Sequence, residues 1–307
     1  VRFKPGSDDI SALEPDLAES WGESEDGKVW TFKLRPGVKF HHGYGELTAE
    51  DVVFSLKRAS NPDTSAFATD YKAVENIEAV DALTVRITLR QRVPSLLGLV
   101  SNYHGGNIIS KKAAEEEGAG FATKPVGTGP YKLASRDPDV RSVLTYYEDH
   151  WGETPDVTEI NYVVIGEAAT RVAALLSGEV DFVQDVPVQD IERLSSQSGV
   201  KVETGPENRS IYFGYKMNEE PLASSNVTDV NPFSKPEVRE AIHLAVDRDA
   251  IVTATSYGTA AANQLAIPEG NPWYVPYDRY ADGGIDTARE LLQQSGASPG
   301  STKTWPG

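Results

Sequence analysis

The sequence predicts a mixed α/β protein, sheets with helices, divided into more than one lobe. Three observations carry that expectation. Apolar residues recur with a period of two in Trp30, Phe32 and Leu34 and again in Leu83, Val85, Ile87 and Leu89, the signature of strands packed on one face. Between them Thr48-Ala49-Glu50-Asp51 has the spacing of a capping box, followed by Val52, Val53, Leu56 and Ala59 at helical intervals. The third is length: at 307 residues the chain is longer than the roughly 250–300 residues at which one core stops growing.

In chain order, Leu17, Ala18 and Trp21 fall on one helical face, and a polar turn, Glu23-Ser24-Glu25-Asp26-Gly27, leads into a strand over Val29–Leu34. Pro36-Gly37 turns the chain into Val38-Lys39-Phe40, and the helix after Thr48 runs about three turns. Residues 83–89, 143–147, 160–165 and 210–217 read as strands, the first with the alternation of an antiparallel sheet. Ala168–Ser177 reads as a helix closed by Gly178. Another helix follows Ser234 as N-cap, with Pro236 in its first turn and Val238, Ala241, Ile242, Ala245 and Val246 as its apolar stripe. Residues 286–295 form the last, with Ala288, Leu291 and Leu292 inward and Gly296 after it, before a polar tail over 301–307. Pro125, Gly127, Gly129 and Pro130 mark the stiffest seam, and the run Glu115-Glu116-Glu117 reads as a solvated helix face.

Composition narrows the functions. Lys+Arg number 29 against Asp+Glu 46, a formal net charge of −17, and no cation cluster is present to track a phosphate backbone. Cysteine is absent, which removes disulfides, thiolate metal sites and a Cys nucleophile. No run of about 20 apolar residues could span a bilayer. The chain begins with Val1 and no signal-peptide pattern, and reads as a processed product or an excised piece.

Catalytic motifs fare poorly. Gly22, Gly27 and Lys28 have P-loop spacing, but Val29 stands where Ser or Thr would hold magnesium, and a strand follows instead of a helix. Gly127-Thr128-Gly129 lacks the third glycine of a dinucleotide fingerprint. His41-His42 invites a metal, yet neighbours on an extended chain point apart and no ligand recurs at i+4, so the pair reads as two partly exposed loop imidazoles. His104 and His150 are scattered, and His243 reads as a packed or rim residue. No Gly-x-Ser-x-Gly elbow exists, and among 46 acidic residues a carboxylate pair carries no information. More telling are aromatic rings interleaved with polar groups in Asn102-Tyr103-His104 and in Arg209-Ser210-Ile211-Tyr212-Phe213-Gly214-Tyr215, the mixture small-molecule clefts use.

These blocks match a known pattern. Ala18-Glu19-Ser20-Trp21, the run from Asp26 to His41 and Leu47-Thr48-Ala49-Glu50-Asp51-Val52-Val53 come first. Gly127-Thr128-Gly129-Pro130-Tyr131, Tyr147-Glu148-Asp149-His150-Trp151-Gly152, Gly178-Glu179-Val180-Asp181 and Pro232-Phe233 with Val238-Arg239-Glu240-Ala241 follow in order. From residue 18 to about 296 the chain resembles the family 5 extracellular solute-binding proteins, the peptide- and nickel-type receptors of bacterial ABC importers. His42 departs from the pattern, which usually has an acidic residue there.

The resemblance implies periplasmic-binding-protein-like lobes of the three-lobed peptide-receptor class: a smaller middle lobe over 1–130, a first ligand lobe over 131–250 and the start of a second over 251–307. It implies a fragment, because family members are far longer and this chain stops where the second ligand lobe has barely begun. It implies a monomeric, non-catalytic receptor without cofactor or metal, periplasmic or extracytoplasmic, with a lipid anchor as one option, handing its ligand to membrane permease subunits. An oligopeptide or dipeptide is the foremost ligand, with nickel chelates, opines and other small solutes as alternatives. A hydrolase with a carboxylate pair and a sensor module remain rivals from other classes. By position the resemblance puts ligand contacts at Tyr103, His104 and Asn107 on one loop and at Arg209, Tyr212, Tyr215 and Asn218 on one strand.

Overall fold

The computed structural model describes residues 1–7, 9, 11–205, 209–219, 221–223, 230–263, 265, 267, 274–275 and 284–296. The chain divides into two compact units, Val1–Val164 and Ile165–Gly307.

In the first unit, short strands β1 (Arg2–Phe3) and β2 (Leu13–Glu14) pair before the main antiparallel sheet. That sheet contains β3 (Ala18–Glu23) and β4 (Val29–Leu34), and its helix α1 (Ala49–Ser60) precedes β5 (Val74–Asp81) and β6 (Thr84–Leu89); the strand order is β3-β4-β6-β5. Trp30, Phe32, Leu34, Val85, Ile87 and Leu89 turn inward as their alternation predicts, and Val52, Val53 and Leu56 of α1 complete the same core. Residues 18–23 are a strand and not a helix. Leu17, Ala18 and Trp21 have helical spacing, but pairing with β4, Trp21 opposite Phe32 and Glu23 opposite Trp30, satisfies the backbone of both strands at once. The Gly22-to-Val29 run is the hairpin turn: Asp26 accepts from Ser24 Oγ at 2.6 Å and from Lys28 N at 3.1 Å, holding its carboxyl below the usual range, and Gly27 turns with φ 66°.

Thr48 begins α1 as its sequence requires. Its N–H and hydroxyl both donate to Asp51 Oδ2, at 3.0 and 2.9 Å, while Asp51 Oδ1 accepts from Lys111 N at 3.0 Å. Helices α2 (Leu96–Val100) and α3 (Lys111–Glu117) follow, α3 carrying the glutamate run at its end. A second antiparallel sheet, β7 (Tyr131–Asp137), β8 (Arg141–Tyr146) and β9 (Glu159–Val163), has the order β7-β8-β9.

Between the two sheets the Gly/Pro seam is clasped. His41 N donates to Gly127 O at 2.9 Å and its Nε2 meets Gly129 O at 2.9 Å; Tyr147 Oη donates to Phe40 O at 2.8 Å, and His150 Nδ1 lies 3.3 Å from Thr128 O. Lys39 pairs with Asp149 at 3.1 Å and the Arg35 guanidinium lies 4.4 Å from the Trp151 ring centroid. Blocks far apart in sequence thus meet in one junction.

The second unit holds α4 (Ala168–Ser177), α5 (Ile191–Ser195), α6 (Pro236–Ala245), α7 (Arg248–Ser256) and α8 (Ile285–Gln294). Gly178 ends α4 in the left-handed conformation, φ 76°, as read from sequence. The N-cap of α6 is Lys235, not Ser234; Ser234 belongs to the preceding 3-10 turn, Pro232–Ser234, where its hydroxyl donates to Asn231 O at 2.7 Å. Val238 and Ala241 of α6 and Ala288 of α8 are buried, and Lys235 Nζ donates to Ser295 O at 2.6 Å. Residues 210–217 are coil and not a strand: their apolar alternation suits a sheet, but among the described residues no partner strand pairs with them. The tail over 301–307 lies outside the described residues.

Candidate functional site

The first cluster is built on the loop after α2. Tyr103 is 73% exposed, yet it is not a loose ring. His104 stacks on Phe67 with centroids 4.4 Å apart and planes 7° from parallel, and Tyr103 stands perpendicular to both, 4.4 Å from His104 and 6.2 Å from Phe67. The three centroids therefore form a corner with its right angle at His104. Asp70 Oδ2 lies 3.6 Å from His104 Nδ1, and His104 N donates to Asn102 Oδ1 at 2.7 Å.

Two glycines fix this corner. A Cβ on Gly105, where φ is 145°, would sit 2.6 Å from Tyr71 Oη and 2.7 Å from Ala59 Cβ, and one on Gly106 would overlap the carbonyl oxygens of Val100 and Asn102. The loop consequently lies flat on the end of α1 and on Tyr71. Burial pushes the Tyr71 phenol up to about 12. Asn107 is exposed and outside the ring cluster.

The second cluster lies on residues 209–219. Arg209, Tyr212 and Asn218 are exposed, Tyr212 at 82%, whereas Tyr215 is half-buried with its ring 5.2 Å from Phe233. The segment is held by Asn231, which is fully buried: its Nδ2 donates to Lys216 O and Glu219 O, both at 2.7 Å, and its Oδ1 accepts from Phe233 N at 2.9 Å. The structure thus packs Tyr103 with His104 and anchors Tyr215, while Asn107, Arg209, Tyr212 and Asn218 are exposed.

Sequence reading missed Phe67, Asp70, Asn231 and Phe233. The first two approach His104 only through the fold, more than thirty positions away in the chain. Asn231 had a signal: an Asn before Pro commonly starts a turn by bonding its own backbone.

The histidine pair behaves unlike two exposed imidazoles. His41 is 5% exposed, and burial lowers its pKa against the opposing effect of the Gly129 carbonyl. Only His42 reaches solvent, with φ 57°. Among the described residues no group of three His, Asp or Glu is placed to hold a metal ion. His243 sits at a rim as expected, Arg248 Nη2 lying 2.8 Å from its Nδ1, and burial and then Arg248 lower its pKa. Among the described residues no helix is long and apolar enough to cross a membrane.

Comparison with known proteins agrees with this architecture. Residues 12–305 match the model of the bacterial extracellular solute-binding proteins, family 5 middle. The glutathione-binding protein GsiB of Salmonella paratyphi A is 31% identical over 299 residues, covering 94% of this chain and 54% of that protein. Among solved structures, MoaA of A. tumefaciens R10 in complex with mannopinic acid is 37% identical with a TM-score of 0.82, covering 96% of this chain and 58% of MoaA. DppA of Helicobacter pylori in complex with the peptide STSA is 26% identical with a TM-score of 0.77, covering 96% and 59%. The chain spans about half the length of the curated relatives it matches. The mixed α/β fold is that of the peptide-receptor type of periplasmic binding protein, and the chain belongs to the bacterial extracellular solute-binding proteins of family 5.

Proposed function

We propose that this chain is part of the substrate-binding receptor of a bacterial ABC importer, which takes a small solute outside the cytoplasmic membrane and delivers it to permease subunits. Its lobes follow the division 1–130, 131–250 and 251–307, and it works as a monomer without chemistry on its ligand. Tyr103, His104, Asn107, Arg209, Tyr212, Tyr215 and Asn218 are the ligand contacts. The observation that carries this reading is the firmly seated but exposed Tyr103: a ring 73% in solvent, braced by Phe67 and His104, is preorganised to receive a partner. Differential contact of the ligand with separate lobes then shifts the receptor toward a closed population.

An oligopeptide or dipeptide is the first ligand class, in keeping with the peptide-bound relative. An opine is the second reading, favoured by the higher identity to the mannopinic acid complex, 37% against 26%. Native mass spectrometry of the whole mature protein, purified without added ligand, tests both. A stoichiometric adduct released unchanged supports a receptor and identifies its ligand class. A covalent adduct or a cleaved product would replace the receptor by a hydrolase. Titration with dipeptides and with mannopinic acid then separates the two ligand readings.

A further inference from the structure

Two imidazoles close the junction between the sheets of the first unit, and they do so on neighbouring carbonyls. Buried His41 meets Gly129 O through Nε2 at 2.9 Å, and half-buried His150 meets Thr128 O through Nδ1 at 3.3 Å. A carbonyl only accepts, so the neutral rings carry their protons on opposite nitrogens, Nε2 in His41 and Nδ1 in His150. A further proton on either ring leaves these hydrogen bonds in place and changes the charge of the junction. In His150 it must go to Nε2, which is pressed against Gly152, 2.7 Å from where a Cβ there would stand.

The surroundings oppose that charge. Burial first, then His42, Lys132 of β7 and His150 itself, hold the His41 pKa below 6.5 against the Gly129 carbonyl. The His42 ring lies 6.2 Å from His41, and the Tyr147 ring, 4.9 Å from His41, already has the Lys132 ammonium 5.7 Å from its centroid. Asp149, next to His150 in the chain, is engaged by Lys39 at 3.1 Å. Burial also lowers the His150 pKa, against the Thr128 carbonyl and Asp16, with Arg2 lowering it further. The two rings thus hold adjacent residues of one seam, and each disfavours a proton on the other.

We propose that His41 and His150 form a proton-operated clasp: while both rings are neutral they hold the seam over 127–130 in the junction, and protonation of the pair in mild acid frees the seam while both sheets stay folded. The clasp is complete above the free imidazole value of 6.5 and is lost as pH falls through the lower values of the closed junction. It makes the setting of one sheet against the other answer to the pH outside the molecule. The clasp stands independently of the importer reading.

The experiment follows the imidazole carbons of the whole chain by NMR, together with backbone amide exchange corrected for its intrinsic pH dependence, from pH 7 to pH 5. The His41 and His150 rings should both titrate below 6.5. The amides of His41 and Tyr147, which donate to Gly127 O and Pro130 O, should lose protection at least about tenfold over that range. Those of β6 and β8, each central in its sheet, should keep theirs. His41→Gln and His150→Gln, each with an amide that can still donate to its carbonyl, should each reduce the loss, and the double variant should abolish it. Either ring titrating at 6.5 or above, no loss of protection, a loss shared equally by β6 and β8, or an undiminished loss in the double variant would each overturn the proposal.

Discussion

Two tyrosines in the first unit should respond to the same atomic change with opposite signs. Tyr71 is 3% exposed and its hydroxyl has no hydrogen-bond partner among the described residues, so folding strips it of water without replacement. Leaving such a group unpaired costs about 1–3 kcal/mol, whereas the void left by one oxygen forfeits only a few tenths of a kcal/mol in dispersion. Tyr71→Phe should therefore stabilise the chain by about 1 kcal/mol. Tyr147 is also buried, but its hydroxyl donates to Phe40 O at 2.8 Å. Tyr147→Phe loses that bond and strands the carbonyl, and should destabilise by about 1–2 kcal/mol. Urea unfolding followed by tryptophan fluorescence reads both, the midpoint moving up for one and down for the other at constant slope. Alkaline pH gives a second readout for Tyr71. The Tyr71 phenol is raised from 10.0 to about 12, so the folded chain holds a proton that the unfolded chain releases. That contribution is intact below pH 10 and is lost as pH rises toward 12, and Tyr71→Phe should remove it. A fall in midpoint for Tyr71→Phe comparable to that for Tyr147→Phe would refute the reasoning, because it would mean the first hydroxyl is as well paired as the second.

Gly105→Ala should lower stability by about 2 kcal/mol and loosen Tyr103 and His104, seen as loss of the ring-current shifts between His104 and Phe67, since a Cβ collides with Tyr71 and Ala59. Asn231→Ala removes three hydrogen bonds from a fully buried amide and should destabilise the second unit by about 3 kcal/mol, with faster amide exchange over the segment it anchors. Burial depresses the His41 pKa below 6.5, so its contribution is complete above the unfolded value and lost as pH falls through the folded one. His41→Gln, whose amide can still donate to Gly129 O, should flatten the decline in urea midpoint between pH 7 and pH 5.

Where local chemistry and tertiary packing agreed, the elements were legible. Thr48 and Asp51 announce α1, and the alternation of Trp30, Phe32 and Leu34 marks β4 and its inner face. Leu17, Ala18 and Trp21 fit a helical face because three apolar positions cannot distinguish two periods; the antiparallel partner that decides the matter begins at Val29. Residues 210–217 show the converse, a strand-like pattern without a strand to pair with among the described residues. At the candidate site, the sequence carried the interleaved rings but not what braces them. Phe67 reaches His104 only because the 3-10 turn and the glycine-bearing loop settle on the same helix end. The conspicuous blocks around Gly127 and Tyr147 build a junction between sheets, so a strong motif here reports architecture more directly than ligand contact.

Asp51 also separates two moments in folding. One carboxylate oxygen closes on Thr48, three positions away, and can do so as soon as the first turn of α1 forms. The other waits for Lys111, sixty positions on, and bonds only after β5, β6 and α2 have brought α3 into place. One side chain therefore serves first as an initiator and last as a latch, and a kinetic comparison of Thr48→Ala, which removes only the hydroxyl bond to Asp51, with Asp51→Ala, which removes both early bonds and the late one to Lys111, would date the docking of α3 against the birth of α1.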